Sequence, residues 1–264
     1  MDELNSLQLV MAWVGISLAV WAFAWWLLSV ALSDVGVVDI SWGLMYVVTA
    51  GVGLGLSERV GPRAYLIATI TALWGLRLGV YLAKRNLGHE EDRRYASMRA
   101  RNNPGFWWKS LFMVFILQAG IAWIISLPIQ VTITAESSPL NWLDYVGLAL
   151  WAVGLFFEAV GDWQLARFKA DPAQQGQVMD RGLWRYTRHP NYFGDFCVWW
   201  GIYLISASAG GLWTVVSPVL MSVLLLRVSG VTMLEKDIAE RRPGYSDYIK
   251  RTNAFFPGPR RSSG

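Results

Sequence analysis

Apolar residues occur in long runs along this chain, and short polar segments separate the runs. Seven runs approach or exceed the roughly 20 residues that an α-helix needs to cross a hydrocarbon core of about 30 Å. They cover residues 8–32, 36–56, 64–84, 110–133, 141–162, 190–208 and 211–231. The pattern therefore predicts an all-α fold, a polytopic integral membrane bundle of about seven transmembrane helices.

Positive charge is concentrated in alternate connections between the apolar runs. The segments rich in Lys and Arg are 84–109, 163–189 and the tail after residue 232. The connections near 134–140 and 207–211 carry almost no positive charge. Because cytoplasmic loops carry the excess of Lys and Arg in membrane proteins, we expect a cytoplasmic C-terminus and an external N-terminus. The loop 57–63 departs from this rule, since Arg59 and Arg63 face outward on the same assignment.

The composition narrows the kinds of site that the chain can hold. One cysteine excludes an internal disulfide, and the two histidines, His89 and His189, are far apart in sequence and lack metal-ligand spacing. The basic loops account for the net charge of +4, so we expect no nucleic-acid binding. Because no internal repeat or linker is evident, residues 1–264 are predicted to form one membrane domain.

Charged side chains inside the apolar runs are candidate site residues, because a charge in a membrane helix is costly unless it faces a cavity or a partner. Asp39 lies near one end of the second run. Arg77 and Tyr81 lie four residues apart in the third run and therefore share a helix face. Trp42 and Trp74 are candidate substrate contacts, although packing or a membrane-interface position is the ordinary role of such residues.

Two further polar pairs have the same spacing of four residues. Glu158 and Asp162 lie in the fifth run, and Asn191 and Asp195 open the sixth. Each candidate also has a purely structural interpretation. An acid at a helix end can cap the helix, an arginine can extend to the interface, and acidic pairs facing an arginine can form a buried ion network that orients helices.

The segment 183–196, LWRYTRHPNYFGDF, gathers hydrogen-bonding groups at the start of the sixth run. Pro190 suits the first turn of a helix, so the positive end of a helix dipole is expected here. The cations near this end are Arg167, Lys169, Arg185, Arg188 and His189. Because unpaired backbone N–H groups and guanidinium groups both bind anions, the segment predicts an anion site.

A second set of side chains leads from that cation cluster into the apolar run. It consists of Tyr186, Asn191, Tyr192 and Asp195. Phosphate-binding cations followed by aromatic, amide and carboxylate groups suit a nucleotide cofactor. The Gly-rich phosphate motif of soluble dinucleotide folds is missing, since GVGLGL at 51–56 lies inside an apolar run with no strand before it.

Two stretches, DWQLARFKADPAQQGQVMDRGLWRYTRHPNYFGD and RRPGYSDYIKRTNAFFP, resemble bacterial membrane proteins of the DUF1295 family, grouped with the steroid 5α-reductase C-terminal domain. The resemblance runs from VDISWG to the final FFP and is densest at 158–196. The wider superfamily includes steroid, sterol and enoyl-CoA reductases and isoprenylcysteine carboxyl methyltransferases. The resemblance implies a helical bundle of the bacterial inner membrane, with a cytoplasm-facing cofactor pocket in the C-terminal half, about residues 141–264.

The resemblance also implies roles for residues of the cofactor half. NYFGD resembles a reductase motif whose Asn and acid line an NADPH pocket, which implicates Asn191 and Asp195. The stretch beginning at Asp162 resembles a second reductase motif, which implies Asp162 near the ribose or adenine and Lys169 near a phosphate.

Other implied roles concern the nicotinamide side and the C-terminus. Arg77 and Tyr81 match an Arg-x-x-x-Tyr pair that implies contacts with the nicotinamide side of NADPH. Tyr245 and Tyr248 fall in a segment that closes over the cofactor. The Gln-Glu pair with which steroid 5α-reductases grip a steroid carbonyl is missing from the second run, where Asp39 is the nearest acid.

Three functions follow, from different classes. The leading one is an NADPH-dependent reductase of a carbon–carbon double bond conjugated to a carbonyl in a lipid or steroid-like substrate, with Arg77, Tyr81 and Asp39 as catalytic candidates. The alternative is an S-adenosylmethionine-dependent membrane methyltransferase, because RHPNY at 188–192 also occurs in that branch of the superfamily. The third is a non-enzymatic lipid-binding protein with a cofactor-like pocket.

Overall fold

The computed structural model describes residues 3–58, 60–228 and 244–261, and helices make up most of these ranges. The α-helices are α1 Glu3–Leu32, α2 Val37–Leu56, α3 Pro62–Asn86, α4 Arg93–Asn102, α5 Phe106–Ser110, α6 Leu117–Ile125, α7 Leu127–Thr134, α8 Trp142–Ala170, α9 Pro190–Ser208, α10 Val216–Val223 and α11 Tyr245–Arg251. π-Helical segments cover Leu111–Ile116 and Leu224–Val228, and 3-10 turns cover Pro172–Gln174, Gly182–Arg185 and Leu212–Val215. The described ranges contain no strand, so the all-α prediction is confirmed for them.

Within the described ranges, five helical spans are long and apolar enough to cross a membrane, which indicates a membrane protein. They are Ser6–Leu32, Val37–Leu56, Pro62–Asn86, Phe106–Ile125 and Trp142–Ala170. The sixth predicted run forms α9 with the predicted bounds, but its first turns hold polar residues. The seventh contains a shorter apolar helix, Leu212–Arg227, and its residues 229–231 lie outside the described part of the chain. Seven crossings therefore stay a prediction.

Two runs end differently from the prediction. The run at 110–133 belongs to a helical stretch that is interrupted at Ser126, just before Pro128 in the first turn of α7. Proline lacks the N–H that would continue the hydrogen-bond ladder of the preceding helix. By contrast, α8 continues past the predicted end at 162 to Ala170. Its last turn carries Arg167 and Lys169, which favour a helix C-terminus although they end the apolar run.

The described residues divide into two compact units. Unit 1 comprises residues 1–141 and 205–214, and unit 2 comprises 142–204 and 215–264. Unit 2 begins where the predicted cofactor half begins. The prediction of a single domain stays a prediction.

Within unit 1, α2 and α3 approach each other closely at a glycine pair. A Cβ atom on Gly43 would lie 2.6 Å from the carbonyl oxygen of Gly75, so neither position has room for a side chain. The close approach buries large side chains of both helices, including Tyr46, Ile67 and Trp74. This pairing fixes the faces that carry the predicted catalytic residues.

Unit 2 is organised by a stripe of glycines seven residues apart on α8. A Cβ on Gly201 of α9 would lie 2.6 Å from the carbonyl oxygen of Gly147, and a Cβ on Gly194 would lie 2.5 Å from that of Gly154. The third glycine, Gly161, faces Pro190 at the start of α9. The two helices therefore pack antiparallel, backbone against backbone, along their length. This packing brings the polar start of α9 against the polar part of α8.

Arg63, one of the two exceptions to the charge pattern, does not present its charge to solvent. Its side chain is buried, and its guanidinium donates to the Ser138 hydroxyl at 2.6 Å and to the Pro139 carbonyl at 2.9 Å. These contacts tie the start of α3 to the loop before α8. The other exception, Arg59, lies outside the described residues.

Candidate functional site

A buried polar pair lies where α8 meets the start of α9. Asp162 is 4% exposed, and the Asn191 side-chain amide donates to its carboxylate at 3.2 Å. The contact is possible because Gly161 leaves room for Pro190 beside it. The structure therefore brings together two side chains that the sequence assigned to a cofactor pocket. This carboxylate and this amide form a buried polar point between the two helices.

The segment between α8 and α9 folds back onto this polar point. The Trp184 indole N–H donates to the carbonyl of Gly161 at 3.0 Å, and the backbone N–H of Leu183 donates to the Gln164 side chain at 3.0 Å. Gly182 has a φ of 58°, in the left-handed region, and a side chain there would collide with Gln164. Glycine at 182 therefore permits the turn that places Trp184 against α8.

The C-terminal segment, residues 244–261, is bonded to the same stretch of chain. The hydrogen bonds that join them include Thr187 Oγ1 to Phe255 O at 2.7 Å, Arg188 N to Asn253 O at 2.9 Å, Gly258 N to Tyr186 O at 3.1 Å, and Tyr248 Oη to Trp184 O at 2.5 Å. The rings of Phe255 and Phe256 also pack against α9, with centroids 5.6 and 5.8 Å from that of Phe196. The C-terminal segment is thus built into unit 2.

Two predicted cofactor residues lie inside this contact. The Arg188 guanidinium is buried and donates to the carbonyls of Ile249 and Thr252 at 3.2 and 2.6 Å, at the end of α11. A cation suits a helix C-terminus, whose carbonyl groups carry the negative end of the dipole. His189 is also buried, and its ring stacks on Tyr192 at 5.6 Å with an interplanar angle of 6°. Cofactor contacts by these residues stay predictions.

A cavity of about 410 Å³ lies beside the C-terminal segment. Its lining consists of Ala173, Gln174, Gln177, Val178, Asp180, Arg181, Gly244, Tyr248 and Arg251. The Asp180 carboxylate is paired at 2.7 Å with Arg260, which is not part of the lining. Since that acid is neutralised from outside, Arg181 and Arg251 give the lining an excess of positive charge.

Tyr248 links the cavity to the buried polar pair. It lines the cavity, and its phenol donates to the carbonyl of Trp184, whose indole in turn donates to Gly161, next to Asp162. Burial raises the pKa of Tyr248 above its ordinary value, so the phenol keeps its proton at neutral pH. Two hydrogen bonds therefore connect the wall of the cavity with the helix that carries Asp162.

The other predicted cofactor residues are spread along the same unit. Glu158 is buried and packs against Gly194, the neighbour of half-buried Asp195. Arg167 lies over the exposed ring of Trp163 at 5.7 Å, at the exposed end of α8 that also holds Lys169. The remaining two are Tyr186, which is exposed, and Tyr245, which packs on Tyr248 with centroids 5.7 Å apart.

The sequence interpretation missed several residues of the cavity. Gln174, Gln177, Asp180 and Arg251 were not singled out, and Arg181 was noted only as one charge of a basic loop. The available signal was the basic and polar composition of the two stretches that supply the lining, residues 173–181 and 244–251. Their meeting depends on a long-range contact that spacing does not reveal.

The predicted catalytic residue Asp39 belongs to unit 1, at the start of α2. Its carboxylate accepts from the Arg94 guanidinium and from the Tyr95 phenol, each at 2.7 Å. Burial and the nearby Asp39 carboxylate raise the pKa of Tyr95, which therefore stays protonated. In this cluster the Asp39 carboxylate accepts both hydrogen bonds, and the Tyr95 phenol is a donor.

Four further candidates lie in unit 1. Trp42 and Trp74 contact the ring of Tyr46, and Arg77 and Tyr81 lie on α3. Tyr46 is fully buried, with Trp42 and Trp74 at centroid distances of 5.5 and 5.6 Å. Trp74 is also fully buried, so packing accounts for its position in this structure. Arg77 and Tyr81 are half-buried on α3.

Comparison with known proteins identifies the family. The chain matches the family described as "Protein of unknown function (DUF1295)" over residues 25–252. The protein belongs to the DUF1295 family. A relative in Schizosaccharomyces pombe, an uncharacterized protein, is 24% identical over 264 aligned positions, which cover 88% of this chain and 75% of the relative. No solved structure matches the chain.

The DUF1295 match includes both helices of the buried polar pair and all of α11. It ends at residue 252, within the C-terminal segment, so Arg260 lies beyond it. The cavity-lining residues all fall inside the matched range. The candidate site is therefore a feature of the DUF1295 part of the chain.

Proposed function

We propose that this protein is a membrane-embedded, NADPH-dependent reductase of a carbon–carbon double bond conjugated to a carbonyl in a lipid or steroid-like substrate. The observation that carries the proposal is the arginine-lined cavity of unit 2 together with the buried Asp162–Asn191 pair. Such a unit has separate places for the charged and the flat parts of a nucleotide.

The chemistry of the cavity fits the phosphate-bearing part of NADPH. Its volume of about 410 Å³ lies in the range of small-molecule sites. Arg181 and Arg251 offer planar guanidinium groups, which bind phosphate oxygens through paired hydrogen bonds. Gln174 and Gln177 add amide groups that can both donate and accept, as base and ribose contacts require.

The polar pair supports the inward part of the proposed site. Asp162 accepts from Asn191, which fixes the orientation of an amide at the start of α9. The dipole of α9 places a partial positive charge at this helix start, which favours a negative group nearby. In the proposal, Asp162 and Asn191 orient the cofactor, and Tyr248 with the C-terminal segment excludes water from it.

When bound, NADPH supplies the hydride that reduces the double bond. The chain must then polarise the substrate carbonyl, so that the charge developing on its oxygen is stabilised. We assign this role to Tyr81, with Arg77 beside it on the same helix face. Asp39 is the weaker candidate, because its carboxylate already accepts hydrogen bonds from Arg94 and Tyr95. Trp42 and Trp74 remain the proposed substrate contacts.

The proposal includes the topology of the enzyme. We propose seven crossings, with α9 and the helical stretch after residue 211 as the last two, in a bacterial inner membrane. The N-terminus is placed outside and the C-terminus in the cytoplasm. The buried charge of Arg63 supports this placement, since it removes one of the two exceptions to the charge rule. Reporter fusions at the C-terminus test it, and activity of a periplasm-specific reporter would contradict it.

Mass spectrometry of small molecules released from the denatured, purified protein tests the function. The proposal expects NADP(H) in the wild type and its loss in Asn191→Ala, with the melting temperature in detergent little changed. Release of S-adenosylmethionine would support the methyltransferase alternative instead. If the wild type binds neither compound, even when each is added, the reductase proposal fails.

A further inference from the structure

The loop between α3 and the next predicted span contains far more cations than acids. Segment 84–109, which the structure describes completely, has seven Lys and Arg residues and three acids. Because it joins two apolar spans, Pro62–Asn86 and Phe106–Ile125, this segment lies at a membrane surface. Its helix, α4, is strongly polar, with Tyr95 as its only buried residue among those described.

Most of the acids in this segment are already paired. Arg99 binds Glu91 at 2.7 Å, and Arg94 binds Asp92 at 2.9 Å as well as Asp39. Burial opposes the charge of Asp92, but hydrogen bonds from Arg94 and the charges of Arg94 and Arg85 outweigh it and keep the pKa of Asp92 below its usual value.

The pairing leaves an uncompensated positive surface. The Lys109 ammonium donates to the backbone carbonyls of Asn102 and Pro104, at the end of α4 and just after it. Lys84, Arg85, Arg93 and Arg101 remain exposed, against the single exposed acid Glu90.

The geometry of α4 arranges two of these cations in one line. Arg93, Ser97 and Arg101 are four residues apart, so they share the exposed face, about 12 Å from end to end at 1.5 Å per residue. Only small side chains, among them Ser97 and Ala100, lie between the two guanidinium groups on this exposed face. Anionic groups can therefore reach both arginines without obstruction.

Two exposed tryptophans follow directly at the start of α5. Trp107 is 59% and Trp108 48% exposed, and Trp107 is held in place by its ring contact with Trp26 and by the bond from the Trp26 indole to its carbonyl. Tryptophan rings favour the headgroup level of a bilayer. A rigid aromatic anchor therefore lies next in the chain to the cationic face.

We propose that this surface, formed by Lys84, Arg85, Arg93, Arg101, Trp107 and Trp108, binds the headgroups of anionic phospholipids. We call it the α4 surface. Guanidinium groups bind the phosphate oxygens, and the tryptophans fix the depth of the loop in the leaflet. The binding holds α4 against the membrane and is independent of the nucleotide site in unit 2.

Lipid retention tests this proposal on the full-length protein. The protein is purified in detergent containing equal amounts of phosphatidylglycerol and phosphatidylcholine, and the retained lipids are measured by mass spectrometry. Each basic residue near an anionic surface raises the affinity for that surface roughly fivefold. The double variant Arg93→Gln with Arg101→Gln should therefore lower the ratio of retained phosphatidylglycerol to phosphatidylcholine at least fivefold. Lys250→Gln with Arg261→Gln removes the same charge elsewhere and should leave the ratio unchanged.

Further variants separate charge from fold. Arg93→Lys with Arg101→Lys should keep the preference, and Ser97→Glu, which retains both arginines, should lower it. The proposal is overturned if the glutamine variant keeps the wild-type ratio, or if excess inorganic phosphate removes the preference, since that would indicate a site for free phosphate. NADPH affinity should be equal in all these variants, so this test and that of the reductase proposal fail separately.

Discussion

Unit 1 and unit 2 both place arginines beside carboxylates, but they balance the charges differently. In unit 1 the acids near α4 are paired within the unit: Asp39 with Arg94, and Glu91 with Arg99, each at 2.7 Å. Such pairs fix the position of α4 on the ends of α1 and α2. They neutralise the charge of both acids within the unit.

In unit 2, one ion pair neutralises the acid of the cavity wall instead, because Arg260 from outside the lining binds Asp180 at 2.7 Å. Arg181 and Arg251 therefore give that wall an excess of positive charge. Buried Arg188 is satisfied by backbone carbonyls. The difference teaches that the number of charges says less about a site than which charges remain after internal pairing.

The largest expected effect tests the chemical role assigned to unit 1. Tyr81→Phe should keep NADPH affinity and slow NADPH-dependent reduction of an enone lipid by roughly 100-fold or more, the usual scale for losing a general acid. Asp39→Asn is the matched variant and should slow turnover much less, since Asp39 is an acceptor. Turnover is followed by NADPH absorbance at saturating cofactor. Wild-type rates in both variants would place the carbonyl-polarising group elsewhere.

A second substitution sharpens the contrast between the two sets of arginines. Arg181→Ala and Arg251→Ala should each weaken NADPH binding about tenfold to 100-fold, because a hydrogen bond to a charged group is worth about 1.5–3 kcal/mol. Fluorescence titration measures the affinity. Lys250→Ala is the control, since its side chain is exposed beside Arg251 and pairs with Asp247. Unchanged binding in both arginine variants would remove the cavity from the cofactor site.

Substitution of Arg188, the buried arginine of unit 2, should change the stability of the fold. Arg188→Ala leaves the carbonyls of Ile249 and Thr252 without this donor and should cost about 2 kcal/mol, or roughly 5 °C in melting temperature. Thermal unfolding in detergent, without nucleotide, measures it, and faster trypsin cleavage should report release of the C-terminal segment. Exposed Arg185→Ala is the control. Equal melting temperatures for both variants would refute the capping role.

The smallest effect concerns the pH dependence of an ion pair in unit 1. Burial opposes the charge of Glu91, but hydrogen bonds from Arg99 and the Val35 amide outweigh it and lower its pKa. Because the folded pKa is depressed, the stabilisation is present above roughly pH 4.3, the ordinary glutamate value, and is lost as pH falls through the folded pKa. The melting-temperature difference between wild type and Glu91→Gln should therefore shrink below that pH. A parallel decline with neighbouring Glu90→Gln would deny Glu91 a special role.

The sequence predicted elements better than contacts. The bounds of α2 and α9 were predicted within one residue, because each apolar run has a clear start, with Pro190 opening α9. The run ending at 162 underestimated α8, because the helix continues where its surface becomes polar. A hydropathy pattern reports which residues avoid water and not where a backbone stops being helical.

The candidate site was predicted only where the family resemblance reached it. Asp162 and Asn191 were assigned to one pocket from their motifs, and they are in contact. The Arg188 side chain binds backbone carbonyls at the end of α11, about 60 residues later in the chain. Local sequence spacing cannot reveal a contact between residues so far apart. Arg181 and Arg251 line one cavity although they are 70 residues apart in the chain, which local spacing cannot reveal either.

Calorimetric titration of the purified protein with NADPH and with NADH tests the central claim most directly. Two arginines in the cavity wall, together with Arg167 and Lys169 at the end of α8, supply more positive charge than a pyrophosphate alone requires. We therefore predict that NADPH binds at least tenfold more tightly than NADH, a difference of about 1.4 kcal/mol. Equal affinities, or no binding of either nucleotide, would contradict the account.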